Sequence, residues 1–151
     1  MAVVEYARNI CGMQGANTTE VEPEAKYPVI DILPQQKGLE SLGGNMRLGA
    51  RTVEVKKNTI AYSLYGNKEN ITERFRHRYE VQPSLIQKFE DAGLVFSGKA
   101  PDQDIMQILE LPMHPFFLAT QFHPEFTSRP LRPNPLFDGL VAACLKHKKD
   151  K

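Results

Sequence analysis

Three short apolar runs follow one another in the second half of the chain: "GLVFSG" (93–98), "IMQILEL" (105–111) and "FFLATQF" (116–122). Pro, Asp or Gly interrupts each before it reaches the length of an ordinary helix. Runs this apolar bury themselves by pairing into a sheet, and their close spacing favours antiparallel neighbours. Helices flank them. "QPSLIQKFEDAG" (82–93) has Pro83 near the first turn, Leu85, Ile86 and Phe89 on one face and Gly93 at the C-terminal position. The final helix is marked by Asn134 as N-cap and Pro135 at N1. In it Phe137, Leu140, Val141, Cys144 and Leu145 recur at helical spacing, which predicts a buried stripe with Cys144 as a small core residue.

The first half alternates in the same way. Val3, Val4, Ala7 and Ile10, with Tyr6 beside them, predict a helix over residues 2–11 that ends at Gly12 and Gly15. "YPVIDIL" (27–33) reads as a strand that Pro28 confines to an edge or a strand start. Gly38, Gly43 and Gly44 mark a loop, "MRLGARTVEV" (46–55) a strand and "NTIAYSLYG" (58–66) a short helix stopped by Gly66. "ITERFRHRYEV" (71–81) alternates as one strand. Mixed helices and strands with no linker predict a single α/β domain over residues 1–151, with a mixed sheet flanked by helices.

Composition narrows the function. Nineteen basic and eighteen acidic residues leave a net charge of +1, so no global field favours nucleic acid or an anionic membrane. No apolar run approaches the roughly 18–20 residues that span a bilayer. A cytoplasmic protein with two reduced thiols, Cys11 and Cys144, is expected.

Chemistry must therefore be local. His123 follows "FFLATQF", which places it at the C-terminal end of a strand, where open α/β sheets bind ligands. Glu125, two residues on, is within reach of its imidazole, as the orienting member of a nucleophile-base-orienter triad would be. His-Pro-Glu alone is weak evidence and fits a satisfied structural histidine better. No metal site is expected, because His77 and His114 have no ligand spacing to His123. Arg74, Arg76 and Arg78 share one face of the predicted strand, either as forks for carboxylate or phosphate or as a solvated face paired with Glu73 and Glu80. "RNICGMQG" (8–15) imitates a nucleophile turn, but it puts Cys11 at the C-terminal end of a helix about 15 Å long, where the dipole disfavours a thiolate.

Taken together the motifs resemble one family. "QFHPEF" resembles the His-x-Glu segment of class I (triad) glutamine amidotransferases, which have a flavodoxin-like fold. "FHPEFTSRPLRPNPLF", "LGGNMRLG", "ERFRHRYEV" and "ANTTEVEPEAKYPVI" are similar, in order, to the C-terminal glutaminase domain of the CTP synthase family. The resemblance implies hydrolysis of glutamine to ammonia for the ATP-dependent amination of UTP to CTP. It implies His123 as general base, Glu125 as its orienter, Glu20 as the contact of the substrate's amino group and Arg78 as that of its carboxylate. A synthase (amidoligase) domain or full-length synthase subunits would be the partner. No cofactor is implied for this chain; ATP, Mg and a GTP effector belong to the full-length enzyme. The family's nucleophile lies in a Gly-x-Cys-x-Gly-Met-Gln turn just before a helix that "AVVEYARN" resembles, so its position falls before Met1 and Cys11 does not replace it. The expectation is a partial domain without the nucleophile and inactive alone, or else a non-catalytic fragment that binds glutamine or synthase subunits.

Overall fold

The computed structural model describes residues 1–32 and 47–150, so the predicted loop at Gly38, Gly43 and Gly44 lies outside the described residues. Helix α1 (Ala2–Asn9) buries Val3, Val4 and Ala7. Gly12 and Gly15, at φ 66° and 86°, end it and turn the chain into β1 (Ala16–Thr18). β1 runs parallel to β2 (Tyr27–Asp31), and the two-residue β5 (Glu80–Val81) pairs antiparallel on the other side of β2. Strand β2 is thus central in its three-stranded sheet. Pro28 is accommodated because it stands near the strand start, before the Ile30 and Asp31 positions that pair with β5.

The second sheet has five antiparallel strands in the order β4-β3-β6-β7-β8. They are β3 (Arg47–Val55), β4 (Asn70–His77), β6 (Val95–Lys99), β7 (Met106–Glu110) and β8 (Leu118–Thr120). The three apolar runs from which the sheet was predicted are its consecutive members β6, β7 and β8. Alternation along β7 sends Leu109 into one core and Ile108 into the other. The first core packs α1 and α3 (Ile86–Asp91) against this sheet and β2, through Val3, Val4, Val29, Phe89 and Phe96. The second packs α2 (Ile60–Leu64) and the start of α4 (Pro135–Lys149) against Val53, Val55, Ile71 and Phe75. The α/β class and the mixed strand pairing flanked by helices are as expected.

Two elements differ from the sequence-based expectation. "ITERFRHRYEV" is not one strand: β4 ends at His77, and the chain crosses at residues 78–79 to join the other sheet as β5. Arg78 therefore lies past the strand that carries Arg74 and Arg76 on its exposed face. Glu73 and Glu80 do not pair with those arginines, since both are buried.

Helix α4 is capped as predicted, with Asn134 Oδ1 accepting from Leu136 N at 3.0 Å. Its buried side, however, is Leu136 and Gly139. The absence of a Cβ at Gly139 lets Leu64 of α2 approach, since one placed there would lie 2.7 Å from Leu64 Cδ2. That close approach turns the predicted stripe outward: Val141 is 58% and Leu145 56% exposed, and Cys144 is exposed rather than a core residue. Leu136→Ala is accordingly expected to cost about 2–4 kcal/mol in urea unfolding, and Leu145→Ser about 0.5 kcal/mol or less. Equal losses would contradict this placement of the helix.

Candidate active site

The segment after β8 is built to hold one side-chain pair outward. Phe122 is buried against Phe75 in an edge-on ring contact. His123 donates its backbone N–H to the Arg74 carbonyl on β4 at 2.9 Å. A 3₁₀ turn over Pro124–Phe126 then brings Glu125 back, so that His123 Nδ1 and Glu125 Oε1 are 2.7 Å apart. The Phe126 ring packs against the imidazole at 5.4 Å between centroids. Both members of the pair are substantially exposed, with side chains 42% and 55% accessible. Nε2 is the ring nitrogen left for a reacting group.

Glu125's own backbone N–H, with the His123 ring N–H as the second donor, holds its carboxyl below the ordinary glutamate value. A depressed value means that the ionised pair is fully formed above the ordinary range, and its contribution is lost as pH falls through the lowered value. An NMR titration of the Glu125 side-chain carbon is expected to give a midpoint below 4.5, and one at or above 4.5 would contradict this geometry.

The two predicted substrate contacts meet elsewhere. Glu20 stands in the turn after β1, where its N–H reaches Thr18 Oγ1 at 3.3 Å, and Thr19 Oγ1 ties the same turn to Asp31 at 2.6 Å. Arg78 stands at the crossing between the sheets. Gln121 Nε2 donates to the Tyr79 carbonyl at 2.9 Å. Buried Glu80 takes Arg47 Nε at 2.6 Å and His77 Nε2 at 3.0 Å on one oxygen. Glu20 and Arg78 line a single cleft of about 520 Å³, with Met1, Arg76 and Gln121 also in its wall. An acid and guanidinium groups in the wall of one cleft suit a zwitterion. His123 and Glu125 are not among its lining residues, but Gln121 is two residues before His123.

Neither cysteine reaches that cleft. Cys11 follows the C-terminal end of α1, half-buried against the first core, while Met1 at the other end of the helix lines the cleft. Burial pushes the Cys11 thiol up, and Lys88 offsets this only in part. The helix dipole predicts the same direction. Among the described residues no group of three or more His, Cys, Asp and Glu side chains is placed to hold a metal, and no helix is long and apolar enough to cross a membrane.

Buried polar networks behind the site were not anticipated. Glu73 on β4 binds Tyr65, Thr127 and Asn134, and Arg47, His77 and Glu80 form a second cluster. A signal for the first existed: the alternation of β4 puts Glu73 on the same face as Ile71 and Phe75.

Comparison with known proteins bears on the family and the fold. The chain is 57% identical over 152 residues to the CTP synthase of Pyrococcus furiosus and 52% identical over 151 residues to that of Staphylococcus carnosus. All of the chain is covered in both, and it spans 28% of the length of these relatives. Its fold matches the Trypanosoma brucei CTPS glutaminase domain with bound acivicin at a TM-score of 0.89 and 35% identity, covering 96% of this chain and 56% of that one. The family model for class-I glutamine amidotransferases matches residues 2–143. With that match running through α1, both sheets and the start of α4, the chain belongs to the class-I glutamine amidotransferase family.

Proposed function

We propose that this chain is the C-terminal part of a CTP synthase glutaminase domain, holding glutamine and the base that activates a thiol supplied from outside these residues. The observation that carries the reading is the cleft at the Met1 end of α1 whose wall includes both Glu20 and Arg78. Glu20 takes the α-ammonium of glutamine and Arg78 its α-carboxylate, which leaves the side-chain amide as the free end. His123 removes the thiol proton as sulfur attacks the carboxamide carbon, then delivers it to the departing ammonia; in the second half it activates the water that cleaves the thioester. Glu125 holds the imidazole in one tautomer and stabilises its cation.

The ammonia passes to a synthase (amidoligase) domain for the ATP-dependent amination of UTP to CTP, in the cytoplasm. ATP, Mg and a GTP effector act in the full-length enzyme, and no residue of this chain is assigned to them.

Neither Cys11 nor Cys144 stands at the cleft, which favours a second reading for the 151 residues alone: a non-catalytic piece that binds glutamine or full-length synthase subunits. Calorimetric titration with glutamine tests the shared part. Glu20→Gln and Arg78→Met are each expected to weaken binding by roughly 10–100-fold, as loss of a charged hydrogen bond does. Unchanged affinity in both would sink the assignment. Capture of synthase subunits by a chain that never supports turnover, even beside a nucleophile segment, would favour the second reading.

A further inference from the structure

We infer that Glu73 is a positioning residue for the His123–Glu125 pair, acting through Thr127. Glu73 is only 3% exposed, and its carboxylate is held by three different segments. Tyr65 OH, beyond the end of α2, donates to Oε1 at 2.7 Å, and Asn134 Nδ2, in the cap of α4, donates to the same oxygen at 2.8 Å. Thr127 Oγ1 lies 2.9 Å from Oε2 and 3.1 Å from the Pro124 carbonyl, and Asn134 Nδ2 also reaches Thr127 Oγ1 at 3.0 Å.

Thr127 closes the 3₁₀ turn whose first residues are Pro124 and Glu125, so this network fixes the far end of the turn. Its near end is fixed by the neighbouring residue of the same strand, since the Arg74 carbonyl receives the His123 N–H. Successive residues of β4 thereby clamp both ends of the segment that brings Glu125 onto His123: one through the backbone, the other through a buried carboxylate. Burial and the adjacent carboxylate push the Tyr65 phenol up, which keeps it a hydrogen-bond donor. The fit is to a rigid support, since a 2.7 Å contact between two exposed side chains is lost unless the backbone beneath them is held.

The role ascribed to Glu73 rests on the reading of His123 as base and Glu125 as orienter, but its test does not need turnover. In the labelled 151-residue chain, the Glu125 side-chain titration is followed in Glu73→Ala, Glu73→Gln and Thr127→Val. Loss of the support is expected to raise the Glu125 midpoint toward 4.5 in the alanine and valine variants, because a loosened turn no longer aims the Glu125 N–H and the His123 ring at the carboxylate. Glu73→Gln keeps the shape and the hydrogen-bonding capacity, and is expected to leave the midpoint near that of the parent. The sign decides between causes. If Glu73 acted only as a nearby negative charge, both Glu73 variants would lower the midpoint. If it only stabilised the fold, the midpoint would not move. Either result overturns the proposal, and if Glu73→Ala does not fold, the Thr127→Val titration decides between the same outcomes. Glutamine affinity unchanged in both Glu20→Gln and Arg78→Met, with the midpoint raised as expected, would overturn the glutaminase reading and leave the positioning role standing.

Discussion

In a chimera that joins a Gly-x-Cys-x-Gly-Met-Gln segment ahead of this chain, His123→Ala is expected to lower kcat for glutamine hydrolysis by about 10⁶, and Glu125→Gln by about 10⁴. The magnitudes follow from the two roles. Without an imidazole, neither the thiol proton nor the proton for ammonia has a carrier, so both halves of the reaction stall together. Without the Glu125 carboxylate the ring remains, but nothing fixes its tautomer across the 2.7 Å contact or stabilises its cation. The double variant should be little worse than His123→Ala alone, because the two act as one unit. KM should change little in either single variant, since the Glu20 and Arg78 cleft does not include the pair. Arg78→Met should instead act mainly through KM. A drop of less than about tenfold in His123→Ala, read by ammonia release, would remove the base from this site.

Glu80→Ala is expected to have the largest effect on stability, about 3–5 kcal/mol, or a fall in Tm on the order of 10 °C. The Glu80 side chain is fully buried, and its partners Arg47 and His77 are only 14% and 11% exposed. One oxygen carries both contacts, and Oε2 has no hydrogen-bond partner among the described residues. Removing the carboxylate strands a guanidinium at low exposure, and breaking a buried pair costs more than the pair contributes. Glu80 also anchors β5 beside Asp31 of β2, so its loss loosens the crossing that carries Arg78. Glutamine affinity should fall with Tm, and Glu80→Gln should recover part of both. Thermal unfolding by circular dichroism checks it; a loss below about 1 kcal/mol would show that the cluster is solvated rather than buried.

Local signals were legible in the sequence. Asn134 and Pro135 mark the start of α4 because a cap involves neighbours only, and the three apolar runs mark β6, β7 and β8 because strand length and alternation are local. The side on which α4 is buried was not legible, since it depends on Gly139 meeting Leu64, residues far apart in the chain. The end of β4 at His77 was hidden for a similar reason: its alternation continues through Arg78 and Tyr79 while Gln121 and Glu80 draw the chain into the other sheet. At the site, His-Pro-Glu spacing marks the pair directly, because both members share one turn. Glu73 was readable as a buried acid by parity, yet its partners at 65, 127 and 134 come from other elements, and no spacing rule supplies them.

Ammonia release from glutamine by the purified 151-residue chain, measured beside Cys11→Ser and beside the chimera, tests the glutaminase assignment most directly. The expected result is background release by the chain with or without Cys11, and turnover in the chimera that requires His123. Release by the chain alone that disappears in Cys11→Ser would contradict it, because it would make a nucleophile of a thiol that stands at the far end of α1 from the cleft.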